Sequence, residues 1–243
     1  MTKQDNYALN IANLTKSYGD KTIIDSIDLN VEKGEILGLV GVNGIGKTTL
    51  IKIILDLLSF DNGDVKIFGK SNKDNNSRQN LSYLPEKFAP SQYLYGKEFL
   101  DISSQQFGKK FDIEKAKSIA TKLDLAHDAF DLKIGKYSKG MGQKLGLISV
   151  FLSDANLLIL DEPMSGLDPH VRIRLKELIK EYKQENKTVF FSSHILSDID
   201  EISNRIAVIH NKKIIFTGKP KDFKQKYKAS TLEKAFLLAI NKL

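Results

Sequence analysis

One glycine-rich segment restricts the fold of this chain more than any other feature, because it requires a tight turn between a buried strand and a helix. Residues 41–48 read GVNGIGKT and match the pattern G-x-x-x-x-G-K-[ST]. An apolar strand pattern at 35–40 precedes the segment, and a helical pattern from about 46 to 58 follows it, with Leu50, Ile51, Ile54 and Leu57 on one face. Glycines let backbone N–H groups surround phosphates, and the helix directs its positive end at them. The segment predicts nucleotide binding, with Lys47 at the β- and γ-phosphates and Thr48 as a Mg²⁺ ligand. A glycine turn that merely precedes a helix is the alternative.

Two adjacent carboxylates follow a second buried strand pattern. Residues 157–160 are all apolar, and Asp161, Glu162 and Pro163 come directly after them. In phosphate-loop folds such a strand lies beside the loop, so Asp161 can hold the Mg²⁺ shell. Glu162 can accept a proton from the attacking water and is the predicted general base. A strand that ends in a solvated acidic turn is the alternative, and the phosphate loop argues against it.

Strand and helix patterns alternate on both sides of a helical stretch, which predicts an α/β fold with a helical insert. Residues 7–40 are expected to form strands, and the last segment, 231–243, is expected to form a helix with Leu232, Ala235, Phe236 and Ile240 buried. The polar residues 70–80 are expected to form an exposed loop. Further short strands are predicted at 64–68, 81–84, 157–161, 188–192, 205–210 and 212–217. A helix with Val171, Leu175, Leu178 and Tyr182 on one face is expected between the third and fourth of these.

Three more segments occur in a specific order around the acidic pair. Residues 137–141 read YSKGM and precede it, residues 165–168 read SGLD and follow it, and His194 ends a short apolar strand pattern. With the phosphate loop and the acidic pair, they resemble the signature, D-loop and switch histidine of ATP-binding cassette (ABC) proteins. Taken singly, Ser138 could be a simple helix cap and His194 an ordinary polar residue.

The resemblance covers nearly the whole chain and implies an ABC-type phosphate-loop NTPase fold. That fold has a mixed-sheet core, N-terminal antiparallel strands and a helical subdomain. The expected divisions are a nucleotide-binding core (1–85 and 157–220), a helical subdomain (86–156) and a C-terminal helical segment (221–243). The resemblance also implies ATP and Mg²⁺ held between two cassettes, with His194 placing the attacking water.

The resemblance assigns roles to a defined set of residues. The expected ATP contacts are Tyr18, Gly41, Asn43, Gly44, Gly46, Lys47, Thr48, Thr49, Ser138, Gly140 and Asp168. Tyr18 falls where the family places an adenine-stacking aromatic, and a core aromatic is the alternative. The expected metal ligands are Thr48, Asp161 and Glu86, and the expected catalytic residues are Glu162 and His194. Glu86 stands where the family has glutamine, and Lys139 and Met141 also depart from its LSGGQ signature; these variants resemble those of drug and lantibiotic export subunits.

The expected partners are a separate multi-spanning permease and a second cassette, with no nucleic acid. The expected place is the cytoplasmic face of the cell (inner) membrane. The polar N-terminus shows no secretory signal, and no apolar run is long enough to span a bilayer. The chain has no cysteine, which excludes disulfides and thiolate metal sites. Its net charge of +7 comes almost entirely from lysine, which favours a solvated surface over specific nucleic-acid contacts.

Three other functions compete with a transporter ATPase. A soluble ABC-type ATPase acting on nucleic acid or ribosomes remains the alternative, although the segment between Lys47 and Lys136 leaves no room for long coiled coils. A GTPase would need an N-K-x-D element, and residues 211–214 read NKKI instead. The presence of Lys47, Asp161, Glu162 and His194 argues against a non-catalytic regulatory cassette.

Overall fold

The computed structural model describes residues 6–241, and its secondary structure alternates strands and helices along the chain. The strands are β1 (Tyr7–Tyr18), β2 (Lys21–Glu32), β3 (Ile36–Val40), β4 (Asn62–Ile67), β5 (Lys70–Ser71), β6 (Leu81–Leu84), β7 (Leu157–Asp161), β8 (Thr188–Ser193), β9 (Arg205–His210) and β10 (Lys213–Gly218). The helices are α1 (Lys47–Ile54), α2 (Gly96–Gln106), α3 (Ile113–Lys122), α4 (Lys139–Ser153), α5 (Pro169–Gln184), α6 (Leu196–Ile202), α7 (Pro220–Lys226) and α8 (Leu232–Ile240). None of these helices, within residues 6–241, has the length and apolar character needed to cross a bilayer.

The strands form two sheets. The smaller sheet is antiparallel, with the order β2-β1-β4-β5. The larger sheet has the order β10-β9-β3-β8-β7-β6, in which β9 to β6 are parallel and β10 is antiparallel. A mixed central sheet with N-terminal antiparallel strands and a helical insert confirms the predicted fold class.

The central strands of the larger sheet are buried on both faces, as continuous apolar runs in parallel strands predict. Alternate residues of β7 enter two different cores: Leu157 and Ile159 pack towards the smaller sheet and α1, whereas Leu158 and Leu160 pack towards the helices on the other face. Because β3, β6, β7 and β8 are parallel, their carboxyl ends lie at one edge, where open α/β sheets bind ligands.

The first helix is shorter than predicted. It ends at Ile54, because Asp56 takes a left-handed backbone (φ 58°) and the Leu57 N–H donates to the Lys52 carbonyl, an arrangement that closes the helix C-terminus. Leu57, expected on the buried face, is 66% exposed. That part of the prediction was wrong, because a hydrophobic pattern alone does not show where a left-handed residue ends a helix.

Residues 70–80 are also more ordered than the predicted exposed loop. They contain β5 and a short 3-10 helix, Asn75–Arg78. Asn72 is buried, and its side-chain amide donates to the Ile53 carbonyl at 2.7 Å, so this segment completes the end of α1.

The remaining helical predictions agree closely with the structure. Helices α2, α3 and α4 lie between β6 and β7, and all four predicted apolar residues of α5 are buried. In α8, Leu232, Ala235 and Phe236 are buried as predicted, whereas Ile240, the last residue of the helix, is only half-buried. Lys242 and Leu243 of the predicted C-terminal helix lie outside the described residues.

Candidate active site

The phosphate loop connects β3 to α1 at the carboxyl edge of the larger sheet. Gly41 packs so tightly that a Cβ atom there would lie 2.6 Å from Ile209 Cγ2 and 2.8 Å from Ile45 Cγ2. Gly44 (φ 78°) and Gly46 (φ 116°) occupy backbone regions that favour glycine. The first turn of α1 contains no acidic residue, so the positive end of its dipole remains available to an anion.

The side chains of Lys47 and Thr48 each make a hydrogen bond at the start of α1. Lys47 is buried, and its Nζ donates to the Gly41 carbonyl at 2.8 Å. The Thr48 hydroxyl donates to Asp161 Oδ2 at 2.9 Å. Mg²⁺ bound to nucleotide phosphates takes only one or two oxygen ligands from a protein. The adjacent hydroxyl of Thr48 and carboxylate of Asp161 could supply them.

Ser192, which the sequence analysis did not select, joins the two acidic residues. Its hydroxyl is buried on β8, donates to Asp161 Oδ1 at 2.5 Å and accepts the Glu162 N–H at 3.0 Å. In the sequence it is one of two adjacent serines at the end of a largely apolar strand. Its role depends on the parallel pairing of β7 with β8, which sets Ser192 opposite Asp161.

Glu162 lies between Lys47 and His194. Its backbone is left-handed (φ 52°), which is uncommon for a residue other than glycine. One carboxylate oxygen, Oε2, lies 2.7 Å from His194 Nδ1 and accepts the His194 backbone N–H at 3.3 Å.

The other oxygen of Glu162, Oε1, lies 3.3 Å from Lys47 Nζ, within ion-pair distance. Within residues 6–241 no donor reaches this buried atom with hydrogen-bond geometry. A buried carboxylate oxygen without a donor can accept a proton, which is the chemistry that a general base needs.

These elements surround a cleft of about 360 Å³. Its lining residues are Asn43, Gly44, Gly46, Lys47, Thr48, Thr49, Glu86, Glu162, Ser165 and His194. The cleft therefore brings together most of the predicted phosphate contacts, both predicted catalytic residues and Glu86. Ser165, from the SGLD segment, is a lining residue that the sequence analysis did not assign to the site.

Two carboxylates, Asp161 and Glu86, lie near the side chain of Tyr83. Burial, and after it the charges of Asp161 and Glu86, raise the pKa of Tyr83 to about 12. Within residues 6–241, no group of three or more His, Cys, Asp and Glu side chains is arranged to hold a metal ion by itself. A cation at Thr48 and Asp161 would therefore need further ligands from a nucleotide or from water.

Five predicted contacts lie outside the cleft lining, and one of them, Gly41, is the first residue of the phosphate loop itself. Tyr18 is 52% exposed at the end of the β1–β2 hairpin, so the alternative of a core aromatic is wrong. A Cβ atom at Gly46 would lie 3.2 Å from Ile23 Cγ2, so this hairpin approaches the phosphate loop. Ser138, Gly140 and Asp168 form a separate exposed or half-buried group.

That separate group is held together by the start of α4. Ser138 caps α4 by accepting the Met141 N–H at 3.2 Å, and a Cβ atom at Gly140 would lie 3.4 Å from the Gly166 carbonyl oxygen. Gln143 Nε2 donates to the Pro163 carbonyl at 3.2 Å. The start of α4 is thereby fixed to the loop that ends at Asp168, and Ser138, Gly140 and Asp168 do not line the chain's own cleft.

Comparison with known proteins gives consistent matches. A family model described as ABC transporter matches residues 24–165. An uncharacterized ABC transporter ATP-binding protein of Nostoc sp. is 38% identical, over 78% of this chain and 58% of that protein. The bacitracin transport ATP-binding protein BcrA of Enterococcus faecalis is 36% identical, over 86% of this chain and 68% of BcrA. The Nod factor export ATP-binding protein I of Sinorhizobium fredii is 31% identical, over 88% of this chain and 63% of that protein.

Comparison with solved structures gives the same kind of match. The structure of an ATP-binding subunit of an ABC transporter superposes with a TM-score of 0.87 at 25% identity, over 96% of this chain and 99% of that one. The chain spans little more than half the length of two of its relatives, 58% of the Nostoc protein and 55% of one from Synechocystis sp.. Because the family model matches more than half of the chain, this protein belongs to the ABC transporter family.

Proposed function

We propose that this chain is the ATP-hydrolysing subunit of an ABC transporter and that it drives substrate export through a separate membrane permease. The observation that carries the proposal is the position of Glu162, whose carboxylate lies between Lys47 and His194 in the cleft of the phosphate loop. A base in contact with the phosphate-binding lysine and a histidine suits hydrolysis, whereas binding alone would not need it.

The residues of the cleft divide the work of hydrolysis. The phosphate-loop N–H groups and Lys47 bind the β- and γ-phosphates, and Thr48, Asp161 and Glu86 would hold Mg²⁺. Mg²⁺ when bound neutralises charge on the phosphates. Glu162 accepts the proton of a water whose oxygen bonds to the γ-phosphorus, while the bond from that phosphorus to the bridging oxygen breaks and leaves ADP. His194 holds Glu162 and the water in place.

The cassette works as a pair in this proposal. Ser138, Gly140 and Asp168 do not line the chain's own cleft, and they are accessible on the separate group described above. A second copy of the chain would bring these residues to the ATP held by Lys47, so that the γ-phosphate contacts both chains. Loss of that phosphate would then release the pair, as in other switches that depend on the γ-phosphate.

Transport requires a membrane partner and a cytoplasmic position. One relative is named for Nod factor export, which supports export, while two others are named for bacitracin transport and manganese transport. The differing names support a division in which the permease, and not the cassette, selects the substrate. The helical subdomain (86–156), with Glu86 at its start and Tyr93 85% exposed, is the part that would contact the permease.

Replacement of the base tests the hydrolytic function. Glu162→Gln should retain ATP binding and lower the steady-state turnover by at least ~10²-fold, the usual contribution of a positioned base. Glu114→Gln, an exposed change on α3, serves as the control and should hydrolyse ATP normally. Wild-type turnover in the Glu162→Gln protein would refute the proposed mechanism.

The partner is tested separately by affinity purification from native membranes, with tagged Glu162→Gln protein and ATP present. Co-purification of a multi-spanning membrane protein supports the transporter. Recovery of ribosomes or DNA without a membrane protein would instead favour a soluble ABC-type ATPase.

A further inference from the structure

An apolar groove opens beside the nucleotide cleft. It has a volume of about 380 Å³, and its walls come from the phosphate loop, the start of α6 and the C-terminal helix α8. The residues that matter here are Val42, Asn43, His194, Leu196, Phe236 and Leu237. Val42 is 43% exposed and Leu237 is 54% exposed, so large apolar side chains are presented to solvent at this position.

The groove and the nucleotide cleft share part of their walls. Asn43 and His194 line both. A second chain that covers the nucleotide cleft must therefore come close to the groove, and the groove belongs to the same face of the molecule.

The helix α5 offers an exposed surface that matches the groove. His170, Ile173 and Arg174 recur at helical spacing on the side of α5 opposite to its buried residues, and Ile173 is 52% exposed. The groove carries one acidic side chain, the exposed Glu233. Ile173 flanked by the cation of Arg174 is complementary to an apolar groove with a carboxylate at its wall, although Arg174 also lies 3.5 Å from Glu177 on its own helix.

The start of α5 is also connected to the group that contains Ser138. The chain passes from Gly166, whose carbonyl lies against Gly140, directly through Asp168 into α5. In the cassette pair of the proposed function, a copy that places Ser138 over its partner's ATP therefore brings the start of its own α5 to the same face.

We propose that the groove is part of the interface between two copies of this chain and that it receives the His170–Ile173–Arg174 surface of α5 from the second copy. This inference rests on the proposed pairing of cassettes and adds a specific contact to it. The contact is isologous, so each pair has two of them. Because Asn43 and His194 line the groove, the contact connects α8 and the second copy to both sides of the ATP phosphates.

The absence of cysteine from the chain permits a direct test. Single variants Leu237→Cys and Ile173→Cys are prepared in the Glu162→Gln protein, mixed, and oxidised with and without ATP and Mg²⁺. Side chains that meet in the interface can form a disulfide, which needs Cα atoms within about 7 Å. We expect an ATP-dependent covalent dimer from this mixture. The matched control mixes Ile173→Cys with Leu57→Cys, which is more exposed than Leu237 and lies beyond the C-terminal end of α1, and should give none.

A second mixture separates the contact from the pairing itself. Asn43→Cys with Ser138→Cys reports on the cassette pair, because Ser138 is not part of the α5 surface that the groove is proposed to receive. If this pair cross-links and Leu237→Cys with Ile173→Cys does not, the groove contact is wrong and the cassette pair stands. If neither cross-links, the cassette pair is wrong and the contact falls with it. A cross-link from the cysteine at position 237 to a membrane protein, in place of the second copy, would also overturn the inference.

Charge reversal gives an independent measure. Glu233→Arg and Arg174→Glu should each weaken ATP-dependent dimerisation by roughly two- to fivefold, as expected for an exposed pair, and the double variant should recover it. Sedimentation of the Glu162→Gln protein with ATP measures this equilibrium. Equal dimerisation of all four proteins would count against the placement of α5 in the groove.

Discussion

Ser192 gives the sharpest test of how the fold prepares the site. Its hydroxyl donates to Asp161 and accepts the Glu162 N–H, so Ser192→Ala leaves two buried polar groups without their partner. Each unpaired buried group costs about 1–3 kcal/mol. Part of that free energy appears as lost stability, and the rest appears as misplacement of the carboxylates. If Ser192→Ala raises the activation free energy of hydrolysis by about 1.4–2.7 kcal/mol, the turnover drops by about 10- to 100-fold.

The effect should fall on kcat and on the Mg²⁺ dependence, with little change in ATP binding without metal, because Ser192 does not line the cleft. Steady-state kinetics across a Mg²⁺ titration, ATP-binding calorimetry and urea unfolding measure these three quantities. Ser192→Thr retains a hydroxyl and should recover part of the turnover.

Ser153→Ala is the matched control. Ser153 is equally buried, and its hydroxyl also donates to one backbone group (Val150 carbonyl, 2.6 Å) and accepts from another (Ala155 N–H, 3.3 Å), at the end of α4 away from the acids. It should lower stability and leave kcat nearly unchanged. A Ser192→Ala protein that loses stability and keeps wild-type kcat and Mg²⁺ dependence would show that the hydroxyl does not position the acids.

Two further predictions concern buried charge. Lys176 on α5 forms ion pairs with Asp198 and Glu201 on α6, the helix that follows His194. Lys176→Met should therefore lower kcat without raising KM, and it should have no additional effect in a His194→Ala background. Steady-state kinetics of the single and double variants measure both effects. Burial raises the pKa of Tyr83 to about 12, so the folded state retains a proton that the unfolded chain loses above about pH 10. Unfolding free energy should therefore fall as pH rises from about 10 to 12, and Tyr83→Phe should reduce that fall in urea titrations.

The site could be predicted in part because its central motif is local. The phosphate loop, Lys47 and Thr48 lie within a few residues, and their chemistry follows from residue type and spacing. The acidic pair could be predicted for the same reason. Asp161 and Glu162 directly follow a continuous apolar run, and a buried strand that ends in carboxylates presents them at the edge of the sheet.

Other features had no local signal. Leu57 satisfied the helical pattern and is exposed, because the left-handed turn at Asp56 ends α1 first. Asn72 belonged to a polar segment and is buried, because it pairs with the Ile53 carbonyl at the end of α1. Each outcome depends on a contact with another part of the chain.

The sequence by itself determined the fold class, the family and the residue types that a phosphate-binding hydrolase needs, because these are written in short motifs and in the periodicity of apolar residues. The tertiary structure alone decided that Ser192 bridges Asp161 and Glu162, that Glu162 lies between Lys47 and His194, and that Ser138 does not line its own cleft. The physical reason is that hydrogen bonds and ion pairs act over a few ångströms. Their partners are therefore chosen by the order and register of the strands, which bring residues from distant parts of the chain to one edge of the sheet.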